Sequence, residues 1–176
     1  MCGFVGFTGM RAEREAILHK MADRIIHRGP DMEGYHLSGD TPKNAVALGF
    51  RRLSIIDLAA GKQPMYNEDG TVVVVFNGEI FNFMDLRAEL QAKGHIFTTH
   101  CDTEVVLQSY AHWGPRCVEQ CNGIFAFAVW EHTAQRLFLA RDRIGVKPLF
   151  YAEIPGGLVF GSEIKALLQH PDVPHE

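Results

Sequence analysis

The sequence lacks any apolar stretch long enough to cross a bilayer. Its most apolar segments, Val72–Phe76 and Gly123–Trp130, fall well short of the ~20 residues a spanning helix needs, so no membrane partner is expected. It also lacks a surplus of positive charge. Seventeen lysines and arginines against 21 aspartates and glutamates leave a net charge of −4, without the basic footprint of a nucleic-acid binder. No basic segment followed by a long apolar one opens the chain, so no secretory signal is expected. The chain has four cysteines, Cys2, Cys101, Cys117 and Cys121. Without a secretory signal they are expected to be reduced thiols in a cytoplasmic protein. No repeat or low-complexity segment is present. The 176 residues are 47% hydrophobic and 22% charged, ordinary for one globular domain over 1–176 with a layered core.

Periodicity places the elements. Gly3–Thr8 reads as a buried strand carrying Cys2 at its open end. From Arg11 to His27, Ile17, Leu18, Met21 and Ile25 recur at helical spacing until Gly29-Pro30 breaks the pattern. Short strands are expected near Gly34–Leu37 and Ala45–Phe50, then a long loop over 51–57. Thr71–Phe76 is β-branched and bounded by Asp69-Gly70, a strand expected to run into a turn at Asn77-Gly78-Glu79. Asp85–Lys93 reads as a helix stopped by Gly94. A second helix, with Thr103 as its cap and Val106, Leu107 and Tyr110 inward, ends at Gly114-Pro115. Gly123–Trp130 and Arg136–Arg141 read as strands, as do Leu149–Ala152 and Leu158–Gly161 around the Pro155-Gly156-Gly157 turn. Glu163–Gln169 reads as a short helix. Helices grouped between runs of strands predict a layered α+β fold rather than alternating βαβ units.

Chemistry enters at the first three residues, Met1-Cys2-Gly3. A cysteine directly after the initiator methionine becomes the first residue once Met1 is removed, and its small side chain favours removal. The new terminus then joins a thiol and a free α-amine on one residue, a nucleophile with a built-in base.

Further motifs stand in a fixed order after it: His27-Arg28-Gly29-Pro30-Asp31, Arg52-Leu53-Ser54-Ile55-Ile56-Asp57, Asn77-Gly78-Glu79-Ile80-Phe81-Asn82 and Asp102-Thr103-Glu104-Val105. Gly123–Ala128 and Arg141–Leu149 complete the series. Together they resemble class II glutamine amidotransferase domains, in particular the N-terminal glutaminase domains of glutamine-hydrolysing asparagine synthetases, over essentially the whole chain. The resemblance implies the four-layer αββα sandwich of N-terminal-nucleophile hydrolases, with two antiparallel sheets. It implies glutamine as substrate and a Cys2 thioester as intermediate, with the α-amine shuttling the proton. It implies the Asn77 side-chain amide and the Gly78 backbone N–H as donors to the oxyanion, both suited by chemistry. Arg52 would pair with the α-carboxylate, Asp102 and Glu79 with the α-ammonium, and Leu53, Ser54, Ile55 and Ile56 would add backbone contacts. No cofactor is implied for this domain. ATP and Mg belong to a C-terminal synthetase domain, the expected partner, whose Ser-Gly-Gly-rich loop does not occur in these 176 residues. The chain is therefore expected to hydrolyse glutamine without making asparagine.

Other features read more plainly. His27–Asp31, Arg141–Pro148 and Ser162–Lys165 are expected to shape the pocket rather than to catalyse. Cys117 and Cys121 share C-x3-C spacing, and His95 and His100 stand five apart on a segment, Ile96–Thr99, that reads as a strand. Residues five apart on a strand face opposite ways, so these are expected to be packing residues and no metal site is assigned. Phe81 stands where asparagine synthetases usually carry tyrosine. The alternatives are a glutaminase serving another amidation acceptor and a non-catalytic regulatory module that retains Met1. A homodimer also stays open.

Overall fold

The structure is a computed structural model and describes residues 2–53 and 61–175. In chain order its elements are β1 (Gly3–Thr8), α1 (Arg14–Asp23), β2 (Met32–Ser38), β3 (Val46–Arg52), β4 (Met65–Tyr66), β5 (Val72–Ile80), α2 (Phe83–Ala92) and α3 (Asp102–Trp113). They continue with α4 (Cys117–Gln120), β6 (Gly123–Glu131), β7 (Arg136–Arg141), β8 (Phe150–Ile154), β9 (Gly157–Gly161) and α5 (Ile164–Leu167). The chain forms two compact units, one from the described residues of 1–55 and 148–176, the other from those of 56–147.

In the first unit an antiparallel sheet runs β2-β3-β1-β9-β8. Its middle strand is the apolar N-terminal segment, paired from Gly3↔Arg51 to Thr8↔Val46 on one side and over Val5↔Gly161 to Phe7↔Val159 on the other. Alternation along β1 sends Val5 and Phe7 into one core with Ile17, Leu18, Met21 and Ile25 of the α1 segment and Ala166 and Leu167 of α5. Each large aliphatic side chain removed from water there contributes about 1.5–3 kcal/mol. The opposite face, with Phe4, Leu48, Phe50 and Phe160, is buried as well. Helix α1 is shorter than its apolar spacing suggests. It begins beyond Glu13 and tightens into a 3-10 turn over Ile26–Arg28 before Gly29-Pro30.

In the second unit the antiparallel order is β4-β5-β6-β7. Val72, Val74, Phe76 and Ile80 of β5 pack with Phe125, Phe127 and Val129 of β6 against Leu86 and Leu90 of α2 and Val105, Val106 and Tyr110 of α3. Asn77-Gly78-Glu79 is not a turn. Strand β5 continues through it, in register with β6 from Val72↔Glu131 to Ile80↔Gly123. Two further expectations are corrected here. Ile96–Thr99 is not a strand, because the N–H groups of Thr98 and Thr99 go to the Glu104 carboxylate instead of a neighbouring ladder. Thr103 does not cap α3. The helix starts at Asp102 after Cys101, and the Thr103 hydroxyl accepts from Gln63 Nε2 at 3.3 Å. The α+β class with two antiparallel sheets is as expected. No helix of the described residues is long and apolar enough to cross a membrane.

Candidate active site

The candidate residues fall into one group in each unit. In the first, the ladder ends at Gly3↔Arg51, so that Cys2 directly precedes β1 while Arg52 closes β3. By alternation Arg52 shares the face of Phe50. The half-buried Cys2 thiol lies 3.9 Å from the Leu53 carbonyl. Arg52, opposite Met32 on β2, directs Nη1 toward the Met32 sulfur at 3.7 Å. Ser54, Ile55 and Ile56 lie outside the described residues.

Two motifs that sequence reasoning set aside meet at this group. Arg28 Nε donates to the Cys2 carbonyl at 3.0 Å, and its Nη1 donates to Glu163 Oε1 at 3.1 Å. Ser162 brackets Phe4, two residues on, its Oγ accepting from the Phe4 N–H at 3.0 Å while its own N–H donates to the Phe4 carbonyl at 2.9 Å. Nothing local to either motif signals this. Glu163 and Arg28 are 135 positions apart.

In the second unit the group is built along one edge of β5. Both backbone groups of Phe76 turn away from β6, the N–H to Gln63 Oε1 at 2.6 Å and the carbonyl to Gln63 Nε2 at 3.1 Å. The Ile80 N–H likewise turns outward, to Asp102 Oδ2 at 3.1 Å. Antiparallel pairing alternates, so the Gly78 N–H between them aims at the same edge. Gln63, unsuspected from sequence, thus closes one end of an edge that Asp102 closes at the other. Gly78 must be glycine for packing. A Cβ there would lie 2.3 Å from the Ile124 carbonyl oxygen and 2.6 Å from Phe125 Cα.

Asn77 is 2% exposed, and its Nδ2 has no hydrogen-bond partner among the described residues. A buried NH2 group without an acceptor is costly unless something else supplies one. Alternation puts Asn77 on the face away from Phe76 and Ile80, beside the small side chain of Ala126 opposite it. Glu79 is exposed, whereas burial raises the Asp102 carboxyl, against the pull of N–H donors from Ile80, Thr103 and its own backbone. The charge of Glu79 adds to the rise.

Cys117 and Cys121 are buried, and burial pushes their thiols up to about 12 and about 11, Cys117 raised further by the neighbouring Cys121. They are inert packing groups. Among the described residues no group of three or more His, Cys, Asp or Glu is placed to hold a metal.

The two-sheet α+β architecture has counterparts among solved structures. It matches the glutamine phosphoribosylpyrophosphate amidotransferase of B. subtilis with a TM-score of 0.78 and 20% identity, over 94% of this chain and 42% of that one. A structure described as the allosteric regulatory enzyme of purine biosynthesis matches with the same TM-score of 0.78 and 21% identity, over 96% and 43%. The chain therefore shares its fold with these two structures.

Sequence comparison goes further, since the family model described as "Glutamine amidotransferase domain" matches residues 1–176. The chain belongs to that family. Asparagine synthetase [glutamine-hydrolyzing] 2 of Bacillus subtilis is 44% identical over 100% of this chain and 23% of its own length. Asparagine synthetase [glutamine-hydrolyzing] of Zea mays is 40% identical over 95% and 28%. The chain thus spans about a quarter of the length of these curated relatives.

Proposed function

We propose that the whole chain acts as a glutaminase, releasing ammonia from glutamine through a Cys2 thioester. Removal of Met1 frees the Cys2 amine. The thiol gives its proton to that amine as sulfur bonds to the side-chain carbonyl carbon of glutamine. Negative charge gathers on the former carbonyl oxygen, where the Asn77 NH2 and the Gly78 N–H supply donors. The carbon–nitrogen bond then breaks, the amine returns the proton to the departing nitrogen, and ammonia leaves. Water attacks the thioester, and glutamate departs as the thiol is regenerated. Arg52 suits the α-carboxylate, Asp102 and Glu79 suit the α-ammonium, and the backbone of Leu53, Ser54, Ile55 and Ile56 frames the substrate.

The observation that carries this reading is the buried Asn77 NH2, which has no hydrogen-bond partner among the described residues. An oxyanion is the acceptor it lacks, and a neutral amide donates to an anion without a counter-ion of its own. No metal or cofactor is needed for these steps.

In a longer protein of the kind represented by the relatives, the ammonia would pass to a C-terminal synthetase portion that uses ATP and Mg to amidate aspartate. Relatives named asparagine synthetase or putative asparagine synthetase, 39–44% identical to this chain, support aspartate over another acceptor. A cytoplasmic setting suits this role. The test is ammonia release from glutamine by untagged protein whose N-terminus is verified by intact mass. Cys2→Ala is expected to abolish release while keeping the wild-type circular dichroism spectrum. Undiminished release, or activity with Met1 still attached, would place the nucleophile elsewhere.

A further inference from the structure

Cys2 precedes β1, at the point where the ladder fixing Gly3–Thr8 has ended. Its carbonyl is held from the side instead, by the Nε–H of Arg28. The Arg28 side chain is 11% exposed, and a guanidinium so withdrawn from water needs a counter-charge in a fixed place. Glu163 supplies one through Oε1. The same carboxylate takes His27 Nε2 at 2.8 Å and Lys165 Nζ at 3.1 Å, so one anion gathers side chains from two motifs. Burial alone would raise the Glu163 carboxyl, but hydrogen bonds from Arg28, Lys165 and His27 outweigh it and hold it below its usual range. Gly3 makes room for the arrangement, since a Cβ there would sit 2.9 Å from Arg28 Cδ. Glu163 itself follows Ser162, whose two hydrogen bonds to Phe4 tie this segment to β1.

We infer that Glu163 is a positioning residue for the nucleophile. By holding Arg28 it fixes the Cys2 carbonyl, and with it the rotation of the residue that bears both the thiol and the amine. Glu163 acts through Arg28 and not on the reacting atoms. The inference deepens the glutaminase reading and rests on it.

The test compares untagged wild type with Glu163→Gln, Arg28→Lys, Lys165→Met and Cys2→Ala. Glu163→Gln keeps the size of the side chain and removes its charge. Its kcat for glutamine hydrolysis is expected to fall about ten- to a hundredfold, the scale of a displaced reacting group, with KM within about twofold of wild type. Lys165→Met leaves Arg28 paired and is expected to hold kcat within about twofold.

A second readout does not depend on turnover. In protein labelled with carbonyl-13C cysteine, the Cys2 resonance is identified by its loss in Cys2→Ala. It is expected to shift in Glu163→Gln and in Arg28→Lys, which drops the Nε donor, and to stay in place in Lys165→Met. An unmoved Cys2 carbonyl overturns the inference, as does a Glu163→Gln enzyme with wild-type kcat or with a change in KM alone. If Glu163→Gln does not fold, Glu163→Asp decides, since its shorter side chain withdraws the carboxylate from Arg28, and a Cys2 carbonyl that stays in place there overturns the inference. Ammonia release that survives Cys2→Ala, or none from wild type, sinks the glutaminase reading instead, and the carbonyl signal still settles the positioning.

Discussion

Replacing Glu104 by glutamine puts an NH2 group where a carboxylate oxygen accepts hydrogen bonds from two sides. Oε1 takes the Thr98 N–H at 2.8 Å and its hydroxyl at 3.0 Å. Oε2 takes the Thr99 N–H at 2.7 Å and its hydroxyl at 2.6 Å. The residue is 5% exposed. Whichever way the new amide is turned, one N–H and one hydroxyl face its NH2. The hydroxyl can rotate to accept, but the backbone N–H cannot and is left unpaired away from water. Losing a charge-assisted bond and orphaning a donor costs about 2–4 kcal/mol. Both tryptophans, Trp113 and Trp130, lie in the same unit as Glu104, so their fluorescence follows its unfolding. At a slope of about 2 kcal/mol per molar urea, the midpoint should fall by about 1–2 M.

Acid supplies the second half of this test. Burial works to raise the Glu104 carboxyl, but the N–H and hydroxyl donors of Thr98 and Thr99 outweigh it and hold it below its usual range. A depressed carboxyl contributes stability that is complete above its unfolded value of ~4.3 and is lost as pH falls through the folded value. The gap between wild type and Glu104→Gln should therefore be widest near neutral pH and narrow below about pH 4. A midpoint within ~0.2 M of wild type, or a gap that stays constant on acidification, refutes the reasoning.

Other perturbations reach the rest of the molecule. Asn77→Ala removes the unpartnered donor and is expected to lower kcat for glutamine hydrolysis by about 10²–10³ with the fold intact; an unchanged kcat excludes the residue from the oxyanion role. Gly78→Ala forces a methyl against the backbone of Ile124 and Phe125, and should cost about 1–3 kcal/mol, read as a lower Tm. Burial keeps Cys117 and Cys121 protonated, so native protein treated with iodoacetamide at pH 8 should be modified at the half-buried Cys2 and Cys101 alone. Peptide mass mapping checks this, with all four labelled in urea; modification of Cys117 in the native state contradicts it.

Much of the fold was legible because its strands carry their own signals. Apolar β1 and β6, β-branched β5 and the turn between β8 and β9 each announce themselves locally, and so do the inward residues of α2 and α3. The misreadings share one physical origin. Asn77-Gly78 favours a tight turn on local grounds, but ladder bonds to β6 along all of β5 outweigh that preference. Thr98 and Thr99 have strand-forming side chains, yet a single carboxylate, Glu104, claims their N–H groups first. Thr103 offers a capping hydroxyl that Gln63 takes instead. The candidate residues Cys2, Arg52, Asn77, Gly78, Glu79 and Asp102 were legible as motifs. The groups that hold them, Glu163 behind Arg28 and Gln63 beside Phe76, were not, since each acts across a long separation in sequence.

Strand β1 precedes every other element in the chain and is among the last to be enclosed. It lies between β3 and β9, and its Thr8 hydroxyl accepts the Leu158 N–H from 150 residues away. At ~5–20 residues per second, translation spends roughly 8–30 s between these two partners. Residues 56–147 are contiguous and can close their own core in that interval. The strand that bears Cys2 meanwhile waits for β9, a pairing of the slow, non-local kind. The proposed trimming of Met1 thus has this interval in which to act before β9 pairs with β1.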